Sequence, residues 1–323
     1  MSDTNYTYAV ASIRVMELSL FSAATLEQLM ACRTYQQCLQ FLAEKGWGDA
    51  DTPLNADAIL TREREKTWET IASLQVDMAV FDVLSLPKLY HNLKAAVKEV
   101  CTEHHTPGIF YGDCPISGED MMAWIRDKDY EAFPEGMRAV AQEAYETLLQ
   151  TRDGQLCDII VDRAALEAIA KAGREAKDDI IRDYAESTVA VADIKIAARC
   201  AATGKTIDFM QRAMAPCASL SVDALAIAAQ SGMANLTDYL QSVGYGDAAE
   251  ALKQSPSAFE RWCDNRIIET IQPQLYNPFS VGPLVAYVLA RENEIKTVRI
   301  ILSGKQNDLP EASIRERVRN MYV

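Results

Sequence analysis

The triplet Gly204-Lys205-Thr206 is the first group of residues that could do chemistry, because Gly-Lys-Thr ends the loop that binds nucleotide phosphates. That loop also requires a preceding strand and a glycine five positions before Gly204, whereas Arg199 occupies that position in a helical pattern. A second Gly-Lys pair stands at 304–305. We interpret both pairs as repeated helix C-termini, where glycine adopts positive φ and lysine faces the negative end of the dipole. The triplet therefore predicts no nucleotide site.

Histidine and cysteine side chains offer a second kind of site, a metal centre, because His104 and His105 lie near Cys101 and Cys114. Adjacent residues of a helix point about 100° apart, so His104 and His105 would chelate a single ion poorly. We interpret them as part of a surface loop before Pro107-Gly108. All three histidines of the chain lie between residues 91 and 105, which argues against a histidine-based acid–base mechanism.

Three glutamates, Glu17, Glu292 and Glu294, have the side-chain type of a general base. They lie in helical patterns, where glutamate and lysine ordinarily form the solvated face. We therefore expect them to be exposed. The sequence predicts no catalytic residue, no metal ligand and no cofactor site, and hence no enzyme active site on this chain.

Eight cysteines are spread along the chain without a Cys-x-x-Cys pair. The N-terminus lacks a basic segment followed by an apolar one, so we expect no signal peptide and a cytosolic location, with reduced and mostly buried thiols. The best apolar run, Val281–Ala290, stops at Arg291 and is shorter than the roughly 18 residues of a membrane span. The cysteines are Cys32, Cys38, Cys101, Cys114, Cys157, Cys200, Cys217 and Cys263.

Charge and composition narrow the class of protein. The formal net charge of −14 argues against a nucleic-acid partner, because the phosphate backbone is bound by clustered Lys and Arg. It also argues against broad adsorption to an anionic membrane. Glycine and proline are scarce, at 14 and 11 of 323 residues, and helical spacing recurs, as in Leu26, Leu29 and Met30. Alternating strand patterns of useful length are absent, so the sequence predicts an all-α protein.

The elements that must position any site carry an internal repeat. An apolar residue precedes a helix-starting residue, and a second apolar residue follows four positions after that start. Serine is the N-cap in three copies, and proline opens the helix in the fourth. The copies are Phe21-Ser22 with Leu26, Ile116-Ser117 with Met121, Leu220-Ser221 with Leu225, and Leu309-Pro310 with Ile314.

Two further signals recur with the first. Asn92 with Lys94 and Lys98 matches Asp193 with Lys195 and Arg199, and Asn293 with Arg299 is a third copy in which the inner lysine, Lys296, is shifted by one residue. The turns Gly46-Trp47-Gly48 and Gly244-Tyr245-Gly246 each follow a helical pattern that glycine ends. We predict helical repeats at 20–115, 116–219 and 220–308, with terminal helices in 1–19 and 309–323 closing a pseudo-threefold ring.

The stretch from Asn277-Pro-Phe-Ser-Val-Gly-Pro through Ser303-Gly-Lys to Ile314-Arg315 resembles the closing signature of the C-type subunit family of V/A-type ATPases, whose eukaryotic members are called d. Tyr8-Ala-Val-Ala-Ser-Ile-Arg14 with Glu17 resembles the opening of that family. The resemblance runs through the whole chain in order. It implies three similar helical domains in a pseudo-threefold funnel.

The same resemblance implies a non-catalytic rotor subunit that sits on the membrane proteolipid ring, receives the central stalk and couples ATP hydrolysis or synthesis to H⁺ or Na⁺ transport. Its implied partners are central-stalk subunits of the D and F types and the proteolipid rotor ring, with no nucleotide and no nucleic acid. The chain would be a monomer within a hetero-complex, cytoplasmic and peripheral to the membrane. Arg14 and Arg299, in the matching terminal motifs, are expected to make either structural pairs or partner contacts. The alternative function is a helical-repeat scaffold for another cytosolic assembly.

Overall fold

The computed structural model describes residues 6–323, and every regular element in that range is helical. The all-α prediction is therefore confirmed. Three short 3₁₀ helices, Met78–Phe81, Tyr130–Ala132 and Gln272–Tyr276, accompany the α-helices. Those α-helices are α1 Thr7–Glu17, α2 Ala23–Ala31, α3 Tyr35–Glu44, α4 Ala56–Ser73, α5 Asp82–Thr102, α6 Gly118–Asp127, α7 Glu135–Thr151, α8 Gly154–Glu175, α9 Asp179–Thr203, α10 Ile207–Ala213, α11 Val222–Gln230, α12 Met233–Ser242, α13 Gly246–Gln254, α14 Pro256–Ile271, α15 Gly282–Gln306 and α16 Glu311–Arg315.

The chain forms two compact units. The terminal unit comprises the described residues up to Met78, together with Asp178–Ile180 and Tyr245–Val323. The central unit comprises Ala79–Lys177 and Ile181–Gly244. The two ends of the chain thus belong to one unit. The division into three repeats at 20–115, 116–219 and 220–308 stays a prediction.

The predicted serine caps are confirmed at three helix starts. Ser22, Ser117 and Ser221 each have extended backbone, and each hydroxyl accepts a hydrogen bond from the amide three residues later, at 3.3, 3.0 and 3.3 Å. These bonds satisfy amides that have no partner within the helix. The fourth predicted start is also found, since α16 begins directly after Pro310.

A glycine turn ends α3 as the sequence predicts. The amide of Trp47 donates to the carbonyl of Leu42 at 2.9 Å and that of Gly46 donates to Ala43 at 3.0 Å, while Gly46 has φ of +83°. This pair of bonds is the Schellman arrangement, which needs a left-handed residue at Gly46. The turn directs the Trp47 ring into the core, 5.0 Å from the ring of Phe21. Gly244, with φ of +88°, follows α12, and its amide donates to the carbonyl of Gln241 at 3.5 Å.

Each unit has a core that is centred on a long helix. In the terminal unit, α15 packs on α3 and α4, and Ile295, Val298 and Ile301 of α15 share a core with buried side chains of α2, α3 and α4. In the central unit, α5 packs on α6, α7 and α8 in the corresponding way. The long helix that ends one predicted repeat therefore packs against helices that open another.

The interpretation of Gly304-Lys305 as a helix end is wrong. Gly304-Lys305 lies within α15, which continues to Gln306, so this pair does not form a left-handed helix end. Gly304 is instead a contact point, because Ile314 of α16 lies against its Cα. The short apolar segment Ile159–Val161 lies inside α8. Among the described helices, none combines the length and low charge that a bilayer span requires.

We predict that Gly304→Ala destabilises the protein although alanine favours helix. A Cβ at Gly304 would lie 2.5 Å from Cγ1 of buried Ile314, so α16 must shift. The overpacking cost of about 1–3 kcal/mol exceeds the gain of about 1 kcal/mol in helix propensity. Thermal or urea unfolding should show a lower free energy of unfolding.

Gly136→Ala is the matched control, because a Cβ at this position in α7 has no neighbour within 4 Å. It should leave stability unchanged or raise it by up to about 1 kcal/mol. Equal effects of the two substitutions would contradict the packing role of Gly304.

Candidate functional site

The terminal unit contains a buried charge network between α4 and α15. The guanidinium of Arg291 donates one hydrogen bond to Glu63 and another to Glu294, and it lies 5.3 Å from the centre of the Trp47 ring. Its Nε donates a long hydrogen bond of 3.4 Å to Oγ1 of Thr67. All three charged side chains of this network are buried.

The same carboxylates also hold two turns of the backbone. Glu294 accepts a hydrogen bond from the amide of Phe21, just before α2. Glu63 accepts one from the amide of Gly48 at 2.8 Å and one from Nζ of Lys66 at 2.8 Å. The network therefore joins two helices to the two turns that flank α2 and α3. Its geometry indicates a structural role, because each polar group is directed to another group of the protein.

Burial sets the proton affinity of this network. Burial raises the pKa of Glu294 to about 7, against the opposing effects of Arg291 and the Phe21 amide. For Arg291, burial disfavours the charged guanidinium, but Glu294 and Glu63 outweigh that effect and raise its pKa. Arg291 therefore stays charged, and at least one neighbouring carboxylate must stay ionised to balance it.

The sequence-based expectation that Glu17 and Glu294 face solvent is wrong, since both are buried. Helical spacing shows which residue types share a face of a helix, but it cannot show that this face is buried together with a charged partner. Glu294 meets Arg291, and Glu17 meets Arg14. Glu292 is half-buried.

Arg14 binds within the protein with both arms of its guanidinium. Nη1 donates to both carboxylate oxygens of Glu17, at 2.8 and 2.7 Å. Nη2 donates to the carbonyl oxygens of Gln274 and Asn277, at 2.6 and 3.0 Å. Arg14 thus ties α1 to the segment that precedes α15.

Arg299 has a different environment from Arg14. Its guanidinium pairs with Asp57 at the start of α4, at 3.0 Å, and both side chains are exposed. The structure gives the two arginines separate partners within the terminal unit.

An exposed apolar surface lies beside the Arg14 contact. Tyr8, Ala11 and Val15 follow one another at helical spacing on α1, and Leu18, the C-cap residue that continues this spacing, is 85% exposed. The segment held by Arg14 adds Tyr276, at 88% exposure, and Phe279, at 61%. Large exposed apolar groups of this kind mark contact surfaces for other molecules. We name Tyr8, Val15, Leu18, Tyr276 and Phe279 the α1 surface.

The other sequence candidates resolve into local structure. Gly204, with φ of +66°, ends α9, and the Lys205 amide donates to the carbonyl of Cys200, so this Gly-Lys pair is the predicted helix end. His104 and His105 are exposed in a non-helical loop, as predicted. None of the eight cysteines, all of which lie within residues 6–323, forms a disulfide, and four are buried and four half-buried. Within residues 6–323, no three His, Cys, Asp or Glu side chains come together as a metal site.

We predict that Arg291→Met strongly destabilises the protein. It leaves Glu294 buried without its cation and Glu63 with Lys66 alone, and breaking a buried pair in this way costs about 3–5 kcal/mol. Arg299→Met is the matched control on the same helix, because the Arg299 side chain is 48% exposed and that of Arg291 only 7%. The control should change the free energy of unfolding by less than about 1 kcal/mol. Urea unfolding of both variants tests this prediction, and equal losses in the free energy of unfolding would contradict it.

Comparison with known proteins assigns the chain to a family. The family model of the ATP synthase (C/AC39) subunit matches residues 9–317. The C-type subunit of the V-type sodium ATPase of Enterococcus hirae is 22% identical over 96% of this chain and 97% of its own length. The C-type subunit of the A-type ATP synthase of Methanocaldococcus jannaschii is 22% identical over 96% of this chain and 85% of its own length. Its counterpart in Halobacterium salinarum is 23% identical over 96% of both chains. This chain therefore belongs to the ATP synthase (C/AC39) subunit family, as a non-catalytic subunit of a V/A-type rotary ATPase.

Proposed function

We propose that this chain is the rotor subunit that connects the central stalk of a V/A-type ATPase to the membrane proteolipid ring. In this role it couples ATP hydrolysis or synthesis to the transport of H⁺ or Na⁺. The observation that carries the proposal is the family match over nearly the whole chain, from residue 9 to 317. The chain would act in the cytoplasm, peripheral to the membrane through the complex.

The internal architecture suits a part that transmits torque. A coupling element must turn without shearing, and closely packed helices deform less than long loops. In the terminal unit, α15 packs with helices from the start of the chain, and a buried charge network joins them. The ring of three repeats, closed by the terminal helices, is part of this proposal.

The exposed side chains provide a place for a partner. The α1 surface presents two tyrosines, a phenylalanine, a leucine and a valine to solvent. We assign this surface to a contact with either the central stalk or the proteolipid ring. Arg14 positions the surface through Gln274 and Asn277, and Arg299 is exposed enough to contribute a charge to a partner contact.

Two binding experiments test the coupling role. The chain is co-expressed with D-type and F-type stalk subunits, and the purified chain is separately mixed with the purified proteolipid ring. Size-exclusion chromatography with mass measurement should show a stoichiometric complex with each. A folded chain that binds neither partner would overturn the proposal and favour a scaffold in another assembly.

The double variant Tyr8→Ser with Leu18→Ser tests the α1 surface. Because both side chains are exposed, stability should change little, whereas binding to one of the two partners should weaken at least tenfold. Ile227→Ser is the control, since Ile227 is an exposed apolar residue of α11 in the central unit. Unchanged binding of the double variant to both partners would exclude the α1 surface as a contact.

A further inference from the structure

Three matched residues on long helices fasten a later stretch of the chain. Asn92 on α5 binds the backbone of Tyr111, 19 residues on. Asp193 on α9 binds that of Ala215, 22 residues on. Asn293 on α15 binds that of Asn320, 27 residues on. The repeated Asn/Asp position in the sequence thus has one structural role, because its side chain holds the segment of the chain that follows the long helix.

Asn92 does this job without any charge. Its Nδ2 donates to the carbonyl of Tyr111 at 2.9 Å, and its Oδ1 accepts from the amide of the same residue at 2.9 Å. The side chain has no solvent exposure. One amide therefore satisfies both polar groups of one residue, and the desolvation cost is limited to neutral groups.

Asp193 occupies the matching position on α9, but it makes only one of the two hydrogen bonds that Asn92 makes. Its Oδ1 accepts from the amide of Ala215 at 3.1 Å, and the residue has no solvent exposure. Its Oδ2 has no hydrogen-bonding partner among the described residues. A carboxylate offers only acceptors, so an ionised Asp193 would hold an uncompensated oxygen in the core. A protonated carboxyl offers one donor and one acceptor, as an asparagine amide does.

The charged side chains around Asp193 do not donate a hydrogen bond to its Oδ2 atom. Arg163 on α8 acts on it at a distance, but the guanidinium is directed to Glu167 and to the carbonyl of Gln211. Glu186 on α9 is a like charge, and its carboxylate accepts from the amides of Ala218 and Ser219. Burial raises the pKa of Asp193 to about 7, against the opposing effects of the Ala215 amide and Arg163.

We propose that Asp193 is held in the fold as a neutral carboxylic acid that imitates Asn92, donating its proton to the carbonyl of Ala215. Its ionisation as the pH rises loosens the buried segment Ala213–Ala215, which makes this clamp a pH-sensitive joint of the central unit. The joint does not depend on the coupling role proposed above.

The direction of the pH dependence follows from the proton count. In the unfolded chain Asp193 ionises near pH 4, whereas in the folded chain it keeps its proton up to about pH 7. The folded state binds one more proton than the unfolded state in that window. The stabilising contribution of Asp193 to the free energy of unfolding is therefore full below about pH 4 and is lost as the pH rises to about 7. The unfolding constant should rise by about a factor of ten per pH unit from this residue alone.

The reciprocal substitutions Asp193→Asn and Asn92→Asp test the joint in the full chain. Each variant is compared with the parent at the same pH, which cancels the contribution of Glu294, a group with the same sign. Urea unfolding at pH 5 and pH 8 gives the ratio of unfolding constants, parent over variant. For Asp193→Asn this ratio should increase about 100-fold between the two pH values. Asn92→Asp should show the opposite sign, with its loss growing as the pH rises.

Hydrogen exchange gives the local readout. At pH 8, amides of the peptide that covers Ala213–Ala215 should exchange at least tenfold more slowly in Asp193→Asn than in the parent, and at pH 5 the two should match. A parent-to-variant ratio that is constant across pH, or weaker protection of this peptide in the variant at pH 8, would overturn the proposal. If Asn92→Asp does not fold, the Asp193→Asn results decide alone.

Discussion

A positive charge in a dry core is the constraint on which the terminal unit depends. Arg291 cannot lose its proton, so the fold must bring anions to it, and it does so with Glu63 from α4 and Glu294 from its own helix. Those anions in turn need donors, and the backbone supplies them at Phe21 and Gly48. The path of the chain around α2 and α3 is thus tied to one guanidinium on α15. Apolar packing alone would allow these turns more freedom.

In the central unit, the segments that follow the long helices also have to be held in place. Long helices create long returns, and each return carries amides and carbonyls into the interior, where they need partners. Side chains on the long helices provide them, through Asn92 for Tyr111 and through Asp193 and Glu186 for the Ala215–Ser219 stretch. Both units therefore use a few polar side chains to fix backbone, while apolar side chains fill the volume. Such contacts between helices would suit the coupling role proposed above.

Local chemistry made much of the fold predictable. Serine caps, glycine ends and helical spacing act over a few residues, so Ser22, Ser117, Gly46 and Gly244 took the predicted roles. The burial of Glu294 escaped prediction because, beside its near partner Arg291, it depends on groups far away in sequence, the Phe21 amide and Glu63. One signal was available: within α15, Arg291 and Glu294 lie between an apolar stretch that precedes them and another that follows them in the sequence, which leaves little of the helix for a solvated face. Gly304 was misread because its neighbour, Ile314, comes from another helix. The boundaries of the three repeats and the partner contacts of Arg14 and Arg299 stay predictions, since they concern arrangement and assembly.

The terminal unit also constrains the order of events during synthesis. Its core mixes Leu29, Leu39 and Leu60 with Ile295 and Val298, which the ribosome adds more than 200 residues later. At about 5–20 residues per second that delay lasts roughly 10–50 s, during which α2, α3 and α4 lack their central helix. The central unit, by contrast, has its α5 core complete once α8 has emerged. The nascent chain therefore carries an unfinished half-core of α2, α3 and α4 until α15 has emerged from the ribosome.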